Sequence, residues 1–384
     1  MTELSVILWA DAGEETTEAC IESFLYGRSP VSEILLIGTT PSRYPQVRCV
    51  DTVSHALENV RGTWVCFARG QDRVNVDFTR AMLACAAENP QTLPLCGIRS
   101  GAAPILCGKP VTEPAQVPGE LLAPIYNKLF RRDILTAHHL CPVDAGDSTF
   151  VRDYLRLGQI RQCVVEDRPL YLRSGESSGQ ASLLSKVTGK LVHMKNDRII
   201  AAAAKRLHNK TLPLTILSQN CVGGFLYRDM GQPYRSPTAG LFFRNGDFVR
   251  FVLDLDRYLA MEPEMYWGDD HPIGRLGDIE IQFLHYHTCR DAKEKWLRRS
   301  SRLIRDKIIV ICTDRDGFSD ADFELWKTIP YPKVLITCRE RYHSHPDTLY
   351  LPEFRNQDSV GDLFTARKFY RNHKIIQTIN EVIP

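Results

Sequence analysis

Short apolar runs alternate with helical segments along this chain, and that alternation constrains its fold more than any other feature. Residues 4–9 and 32–37 are short, largely apolar runs of the kind that forms buried strands. Between them, residues 14–27 place apolar and acidic side chains on different faces, which predicts a helix. A short apolar segment at 47–50, a helix over 52–59 and a strand over 63–68 continue the pattern. Strands that alternate with helices predict an α/β fold with a mostly parallel sheet and helices on both faces.

The alternation restarts in the second half of the chain, after a helical segment at 183–209 that is soon followed by Pro213. A chain of 384 residues is also too long for one compact core. We therefore predict a first α/β domain at 1–185, a helical connector at 186–211 and a second α/β domain at 212–384. Expected elements of the second domain include strands at 214–218, 240–243, 278–284 and 307–312 and helices at 289–305 and 319–328.

Composition narrows the class of protein. The formal charge is +2 at pH 7, which gives no general attraction to nucleic acid, so no nucleic-acid partner is expected. No apolar run approaches the roughly 20 residues that span a bilayer, and the first residues lack the basic and apolar regions of a signal peptide. The 12 cysteines are scattered, with no Cys-x-x-Cys pair. These features predict a cytoplasmic protein.

A polar turn follows the strand at 63–68. It reads Arg69, Gly70, Gln71, Asp72, so that only one carboxylate lies directly after a buried strand. Farther along, the proline-rich stretch 103–124 predicts a long irregular loop, and helices are expected near 129–138 and 147–157.

Several segments of the first half carry more specific patterns, namely Gly62–Phe67, Ile125–Leu135, Asp147–Phe150 and Asp167–Arg173 with Ser177 beyond. Together they resemble the family-two glycosyltransferases of the GT-A, or Rossmann-like, fold, especially enzymes of bacterial capsule and exopolysaccharide synthesis. The resemblance implies inverting transfer from a nucleotide sugar to a saccharide or lipid-linked acceptor. It implies Asp147 as the catalytic base. It also implies a group of substrate-binding residues in this half: Arg69, Asp72, Asn127, Lys128 and Arg131.

The chain departs from this family at the metal-binding turn, where Arg69 and Gln71 replace the two aspartates of the Asp-x-Asp motif. The loss of this pair argues against a divalent cation, Mn²⁺ or Mg²⁺, and no metal ligand is assigned. Arg69 either binds phosphate in place of the cation or caps a solvated loop. Asp147 is either the base or a helix N-cap.

Blocks of the second half also match a known group. They are Ser218–Tyr227, Pro233–Pro237, Pro272–Tyr286 and Lys295–Arg299. These blocks resemble a bacterial family of exopolysaccharide-biosynthesis proteins whose domain function is unknown. The resemblance implies a pathway and no particular reaction.

The segment from Ser218 to Gly224 predicts a strand end that opens into a glycine-bearing turn, a place where ligands bind in open α/β sheets. Gly223 and Gly224 would let backbone amides approach a phosphate or sugar, or else simply form a tight turn. Substrate-binding candidates around this turn are Asn220, Cys221, Gly223, Gly224, Tyr227, Asp278 and His285. Cys221, His285 and either Asp278 or Asp270 form a candidate nucleophile, base and orienting group, although Cys221 beside a strand also suits simple packing. His285 and His287 are expected to alternate along a strand.

The helix expected at 289–305 is basic. Arg298, Arg302 and Arg305 would form one stripe, with Lys295 and Arg299 nearby. Such a stripe either binds a diphosphate or an anionic lipid headgroup, or is a solvated face paired with neighbouring carboxylates.

Three hypotheses follow. The first is a glycosyltransferase of exopolysaccharide or capsule synthesis, with peripheral contact to membrane assembly machinery. The second is a degenerate glycosyltransferase-like domain that binds glycan or serves as a scaffold. The third places the chemistry in the second half, which would transfer an acyl, phosphoryl or glycosyl group to a saccharide.

Overall fold

The computed structural model describes residues 3–38, 43–100, 103–144, 146–147, 149–174, 195–244, 246–268 and 271–384. The chain divides into two compact units. The first consists of Met1–Ser177 with two short later segments, Tyr266–Asp270 and His287–Cys289. The second contains the remainder of the chain from Ser178.

The first unit contains a five-stranded sheet in the order β3-β2-β1-β4-β9, in which the first four strands are parallel and β9 is antiparallel. The strands β1, β2 and β4 are almost entirely buried and largely apolar, as strands covered on both faces require. The bounds are β1 Leu4–Trp9, β2 Glu33–Ile37, β3 Val47–Val50, β4 Trp64–Arg69 and β9 Phe130–Arg131.

A second sheet of the first unit has the order β5-β10-β6-β7, and β8 pairs with β10. The long strand β10 runs parallel to β6 and is interrupted by an irregularity between Glu166 and Tyr171. The bounds are β5 Arg73–Val74, β6 Leu93–Ser100, β7 Ala103–Ile105, β8 Val111–Thr112 and β10 Cys163–Arg173. The helices of this unit are α1 Glu14–Leu25, α2 Val53–Asn59, α3 Phe78–Glu88, α4 Gly119–Leu122, α5 Arg132–Ala137 and α6 Phe150–Leu157.

The second unit contains a four-stranded parallel sheet in the order β11-β16-β17-β18. Every residue of β11 and β16 is buried. A second, four-stranded sheet has the order β12-β15-β14-β13. The bounds are β11 Thr215–Ser218, β12 Phe242–Phe243, β13 Glu264–Trp267, β14 Pro272–Leu276, β15 Ile279–Gln282, β16 Ile308–Thr313, β17 Lys333–Thr337 and β18 Thr348–Tyr350.

The helices that follow residue 194 are α7 195–204, α8 Val222–Asp229, α9 Asp247–Leu253, α10 Leu255–Leu259, α11 Cys289–Ser300, α12 Asp320–Lys327 and α13 Lys374–Val382. Short 3₁₀ segments lie at Pro114–Gln116, Glu340–Tyr342, Pro352–Phe354 and Lys368–His373. Among the described residues, none of the helices combines the length and the apolar character that crossing a bilayer requires.

The predicted α/β class is confirmed, and the mostly parallel sheet of the first half is present. Several local expectations are wrong. The stretch 103–124 is not an irregular loop, since it contains β7, β8 and α4. The basic helix ends at Ser300 and not at 305. His285 lies in a turn beyond β15, not on a strand, and Gly223 and Gly224 lie in the first turn of α8. The first part of the helix expected at 183–209, like Ser177 and Asp270, lies outside the described residues.

Candidate functional sites

The turn after β4 lies at the carboxyl edge of the first parallel sheet, next to the end of β1. The N–H of Gly70 donates to the carbonyl of Trp9 (2.8 Å) and to Oδ1 of Asp11 (2.9 Å). A Cβ at position 70 would come within 2.8 Å of the Thr17 hydroxyl, so a larger residue would not fit without a shift. The turn is therefore fixed at the edge where open α/β sheets bind ligands.

Arg69 and Asp72 form a bidentate ion pair in this turn. Nε of Arg69 lies 2.9 Å from one carboxylate oxygen of Asp72, and Nη2 lies 3.1 Å from the other. Asp72 is buried, and it also accepts hydrogen bonds from the Tyr171 hydroxyl (2.9 Å) and the N–H of Ser174 (3.0 Å). This ordered, partly buried pair differs from the predicted cap of a solvated loop.

Aromatic rings enclose the pair. The Arg69 guanidinium lies 5.0 Å from the ring centroid of Tyr126, which stacks on Tyr171 at 4.8 Å. Burial acts to lower the pKa of Arg69, but the pairing with Asp72 outweighs it, so the pKa is raised and the guanidinium stays charged. No acceptor among the described residues contacts Nη1 of Arg69, which leaves one donor group of the fork available to a ligand.

A second arginine adds positive charge at the same place. Nη1 of Arg73 donates to the backbone carbonyl of Asp72 at 2.7 Å. The charge of Arg173 acts on the nearby phenol of Tyr126, although burial is the larger effect and raises the pKa of that phenol. Of this cluster only Arg69 and Asp72 were predicted. Arg73 follows Asp72 directly in sequence, whereas Tyr126 and Tyr171 lie in distant segments that the sequence marks as specific without indicating their contact with this turn.

Asn127 and Lys128 are fully buried, and their polar atoms are already used. The Asn127 side-chain amide donates to the carbonyl of Cys96 at 2.8 Å. The Lys128 ammonium contacts Oδ1 of Asn127 at 2.6 Å and the carbonyls of Leu121 and Pro124. Burial lowers the pKa of Lys128 to about 7. We assign both residues a structural role in fixing the loop before β9, in place of the predicted contact with substrate.

Arg131 lies far from Arg69. It pairs with Trp64 across β9 and β4, at the start of the strand that ends in Arg69. Five residues along a strand correspond to about 16 Å. The Arg131 side chain pairs instead with the exposed Asp133, so the structure does not bring it to the edge where Arg69 lies.

The carboxylate of Asp147 is engaged in a local turn ahead of α6. One oxygen accepts from the N–H groups of Thr149 (3.0 Å) and Phe150 (3.2 Å) and from the Thr149 hydroxyl (2.8 Å). The other accepts from the N–H of Val143 at 3.1 Å. Burial acts to raise the pKa of Asp147, but these hydrogen bonds outweigh it and lower the pKa. The arrangement matches a capping role more closely than that of a base, although Thr149 occupies the N-cap position itself.

The carboxyl edge of the parallel sheet in the second unit is built from buried polar side chains. Oε1 of Gln219, just beyond β11, accepts from the backbone N–H of Thr313 at the end of β16 (2.8 Å). Nδ2 of Asn220 donates to the Thr313 hydroxyl at 3.1 Å. Next to Thr313, the fully buried Asp314 accepts from the Thr337 hydroxyl and the N–H of Val360, both at 2.8 Å. Asp314 was not predicted, although its position directly after a buried strand is a usable signal.

Cys221 and His285 meet at this edge. The thiol sulphur lies 3.2 Å from Nε2 of His285, although the two residues are 64 positions apart in the chain. Cys221 is the N-cap residue of α8 and is partly buried, and burial raises the pKa of its thiol. Two of the three residues of the predicted nucleophilic group are therefore in contact.

Asp278, predicted as an orienting group, is placed elsewhere. Its carboxylate accepts from the hydroxyl of Tyr258 (2.9 Å) and pairs with Arg257 (3.3 Å), on the exposed side of the sheet turn. The alternative, Asp270, lies outside the described residues. Asp278 is accordingly not the partner of His285.

Tyr227 is also structural. It is fully buried, its hydroxyl donates to the carbonyl of Leu214 (2.8 Å), and the N–H of Ile216 donates to it (3.0 Å). Tyr227 therefore connects α8 to β11 through these hydrogen bonds. This structural role replaces the predicted contact of Tyr227 with substrate.

The basic residues of α11 do not form the predicted stripe. Lys295 pairs with Asp291 at 2.6 Å, while Arg299 contacts the carbonyl of Ala239 and the hydroxyl of Tyr286. Arg298 is exposed on the helix. Arg302 and Arg305 lie beyond the end of the helix, and Arg305 pairs with Asp256. In the described segment 289–305, these residues therefore do not share one face of a helix.

Comparison with known proteins places the chain among relatives. The model of a family described as "Domain of unknown function (DUF1919)" matches residues 192–383. An uncharacterized protein from Haemophilus influenzae is 33% identical over 173 residues, which are 44% of this chain and 84% of that protein.

Two solved structures are also similar. S. aureus TarS 1–349 in complex with UDP-GlcNAc is 14% identical over 50% of this chain and 65% of that one, with a TM-score of 0.39.

The second solved structure is the mannosyltransferase PcManGT from Pyrobaculum calidifontis in complex with GDP-Man and Mn²⁺. It is 12% identical over 53% of this chain and 63% of that one, with a TM-score of 0.35. The chain thus spans less than two thirds of the length of either solved structure. The family model covers half of the chain, and the Haemophilus protein matches over most of its own length. The chain therefore belongs to the DUF1919 family.

Proposed function

We propose that the first unit binds a nucleotide sugar without a metal ion and that the chain is a glycosyltransferase of bacterial exopolysaccharide or capsule synthesis. The observation that carries this proposal is the bidentate Arg69–Asp72 pair, fixed at the carboxyl edge of the parallel sheet, with Nη1 of Arg69 contacted by no acceptor in the part of the chain that the structure describes. The sequence resemblance of the first half supplies the class of reaction.

Charge at the turn supports binding of a diphosphate. Two aspartates with a divalent cation have no net charge, whereas Arg69 and Arg73 with Asp72 carry one positive charge in total. A guanidinium can also donate two hydrogen bonds to phosphate oxygens, and it never loses its charge near neutral pH. Arg69 can therefore take the place of the cation.

A specific observation favours the degenerate alternative for the first unit. The carboxylate of Asp147 is held by four hydrogen bonds that lower its pKa, which weakens it as a proton acceptor. In that alternative the first unit holds glycan or acts as a scaffold, and the second unit carries out a transfer to a saccharide. In either case the acceptor would be a saccharide or a lipid-linked saccharide, in the cytoplasm and near the membrane assembly machinery.

The test is calorimetric titration of the full chain with uridine- and guanosine-diphosphate sugars, in EDTA and in Mn²⁺. We expect binding in EDTA that weakens at least tenfold in Arg69→Met/Asp72→Asn. The double variant removes the guanidinium without leaving a buried carboxylate unpaired, because loss of one partner of a buried pair costs about 3–5 kcal/mol.

Arg156→Met/Asp153→Asn is the matched control, since this exposed pair has the same three-residue separation. It should bind as the wild type does. Binding that requires Mn²⁺, or that survives in Arg69→Met/Asp72→Asn, would contradict the proposed metal-free site. A chain that binds glycan and no nucleotide would favour the degenerate alternative.

A further inference from the structure

We propose that Cys221 and His285 form an acyl-transfer site in the second unit, which takes an acyl group from a thioester and passes it to a hydroxyl group. This activity is separate from nucleotide-sugar binding by the first unit, so either proposal can fail without the other.

The nucleophile and the base are in hydrogen-bond contact. Sγ of Cys221 lies 3.2 Å from Nε2 of His285, a distance at which an imidazole can accept the proton of a thiol. Cys221 stands between the end of β11 and the first residue of α8, so its side chain is presented at the carboxyl edge of a parallel sheet. His285 is exposed in a turn after β15 and is therefore open to solvent and substrate.

Free backbone donors lie next to the thiol. The first N–H groups of a helix have no acceptor within the helix. In α8 the N–H of Val222 donates to Oδ1 of Asn220 (3.2 Å), but among the described residues those of Gly223 and Gly224 find no acceptor. The side of Gly224 is open, since a Cβ there would meet only the backbone nitrogen of Gly240 at 3.6 Å. These donors suit the oxyanion that forms when a thiolate attacks a carbonyl.

A buried hydroxyl gives a second, independent indication of a binding site. Ser218 is 1% exposed, and its Oγ has no hydrogen-bond partner among the described residues. Its Cβ lies against Gly223, within 2.9 Å of where a side chain at that position would begin. An unsatisfied buried hydroxyl normally costs about 1–3 kcal/mol. Its place beneath the first turn of α8 is explained if a bound ligand or its ordered water completes the hydrogen bond.

The surroundings favour an acyl group over a phosphoryl group. Burial keeps the Cys221 thiol protonated at neutral pH, and Arg315 is the cation whose charge acts on it. A transferring phosphoryl group is normally stabilised by several cations or a metal ion. A neutral carbonyl needs only a base and hydrogen-bond donors for its developing oxyanion. A thioester is the suitable donor, because exchange between two thioesters is close to balanced in free energy.

The transfer takes two steps. In the first, Nε2 of His285 accepts the thiol proton, Sγ of Cys221 bonds to the acyl carbon, and the donor's carbon–sulphur bond breaks. The departing thiolate takes the proton from His285. In the second, His285 accepts the proton of the acceptor hydroxyl, whose oxygen bonds to the acyl carbon. The bond from Sγ to that carbon then breaks, and the Cys221 thiolate regains the proton.

The experiment is acylation of the full chain by acetyl-coenzyme A at pH 7.5, followed with time by peptide mass spectrometry. Cys49 and Cys141 are exposed and serve as internal reference thiols in the same digest. We expect Cys221 to be acetylated at least 100-fold faster than either, because general-base assistance contributes about 10²- to 10⁴-fold. His285→Gln should abolish this advantage, whereas His208→Gln, at an exposed position, should keep it.

Two results would overturn the proposal. One is acetylation of Cys221 no faster than that of Cys49 and Cys141 in a chain whose thermal unfolding is normal. The other is an unchanged rate in His285→Gln. In a third variant, Cys221→Ser, acetyl-coenzyme A should not acetylate the peptide that contains position 221.

Discussion

At the scale of the residue, the polar groups of the first unit divide into those that hold the fold and those that remain available to a ligand. Lys128 shows the first kind, since three oxygen atoms surround its buried ammonium. Arg69 shows the second kind, since only part of its guanidinium is taken up by Asp72. The sequence identifies the local motif around Asn127 and Lys128. It does not show whether these side chains are buried, and burial decides whether they hold the fold or remain available to a ligand.

Lys128 makes the stability of the first unit depend on pH. Burial lowers its pKa to about 7 from 10.5, so in this window the unfolded chain binds a proton that the folded chain does not. The free energy of unfolding therefore gains a rising contribution from pH 7 to about 10, of at most roughly 1.4 kcal/mol per pH unit. Lys128→Met should remove this contribution.

Urea unfolding at pH 7, 8 and 9 measures this contribution. Lys205→Met is the control, because Lys205 is exposed at the end of α7 and should leave the slope with pH as in the wild type. If the free energy of unfolding of Lys128→Met and Lys205→Met depends on pH in the same way, the pKa of Lys128 is not lowered in the folded chain.

At the scale of the element, strands were easier to predict than helix ends. The short, largely apolar runs of β1, β4, β11 and β16 predict buried strands, because strands covered on both faces are apolar over most of their length. The end of α11 at Ser300 had no comparable signal. Arg302 and Arg305 continue a helical spacing in the sequence, yet a turn intervenes, so the stripe they would form does not exist.

The sequence predicts a turn at the two glycines of α8, because glycine often forms one. In the structure only one of the two positions requires glycine for a steric reason. A Cβ at Gly223 would lie 2.9 Å from Cβ of Ser218 and 3.2 Å from Ile216, so the helix needs glycine there to approach β11. At Gly224 the space is open. Gly223 therefore lets the helix pack on β11, whereas Gly224 faces the open space beside the thiol.

Alanine at each glycine should have opposite effects on stability. Gly223→Ala should lower the free energy of unfolding by about 1–3 kcal/mol, because the helix must move from the strand. Gly224→Ala should raise it by up to about 1 kcal/mol, because alanine favours a helix more than glycine does. Thermal and urea unfolding of both variants measures the difference. Equal effects would mean that α8 does not pack on β11 as described.

At the scale of the whole molecule, two units built from similar layers carry different candidate chemistry. Both have a parallel sheet whose strand ends present polar side chains. In the first unit the edge has Arg69 and Asp72, and in the second it has Cys221 with His285. The pairing of Cys221 with His285 was raised by the sequence only as one option, because spacing along the chain gives no distance between residues 64 positions apart. The alternation of strands and helices predicts the fold class, but it does not predict the contact between Cys221 and His285.

The second unit should fold by itself. The family model matches residues 192–383, and the two apolar clusters of this unit draw their buried members from residues 203–383. A fragment of residues 192–384 therefore retains these cores, and a domain of about 190 residues unfolds with an enthalpy of roughly 130 kcal/mol near 60 °C. We expect scanning calorimetry of this fragment to show one cooperative transition of that size, and acetylation of Cys221 to persist in it. A fragment with native-like helix content but no calorimetric transition would show that the second unit depends on the rest of the chain, and would place the domain boundary elsewhere.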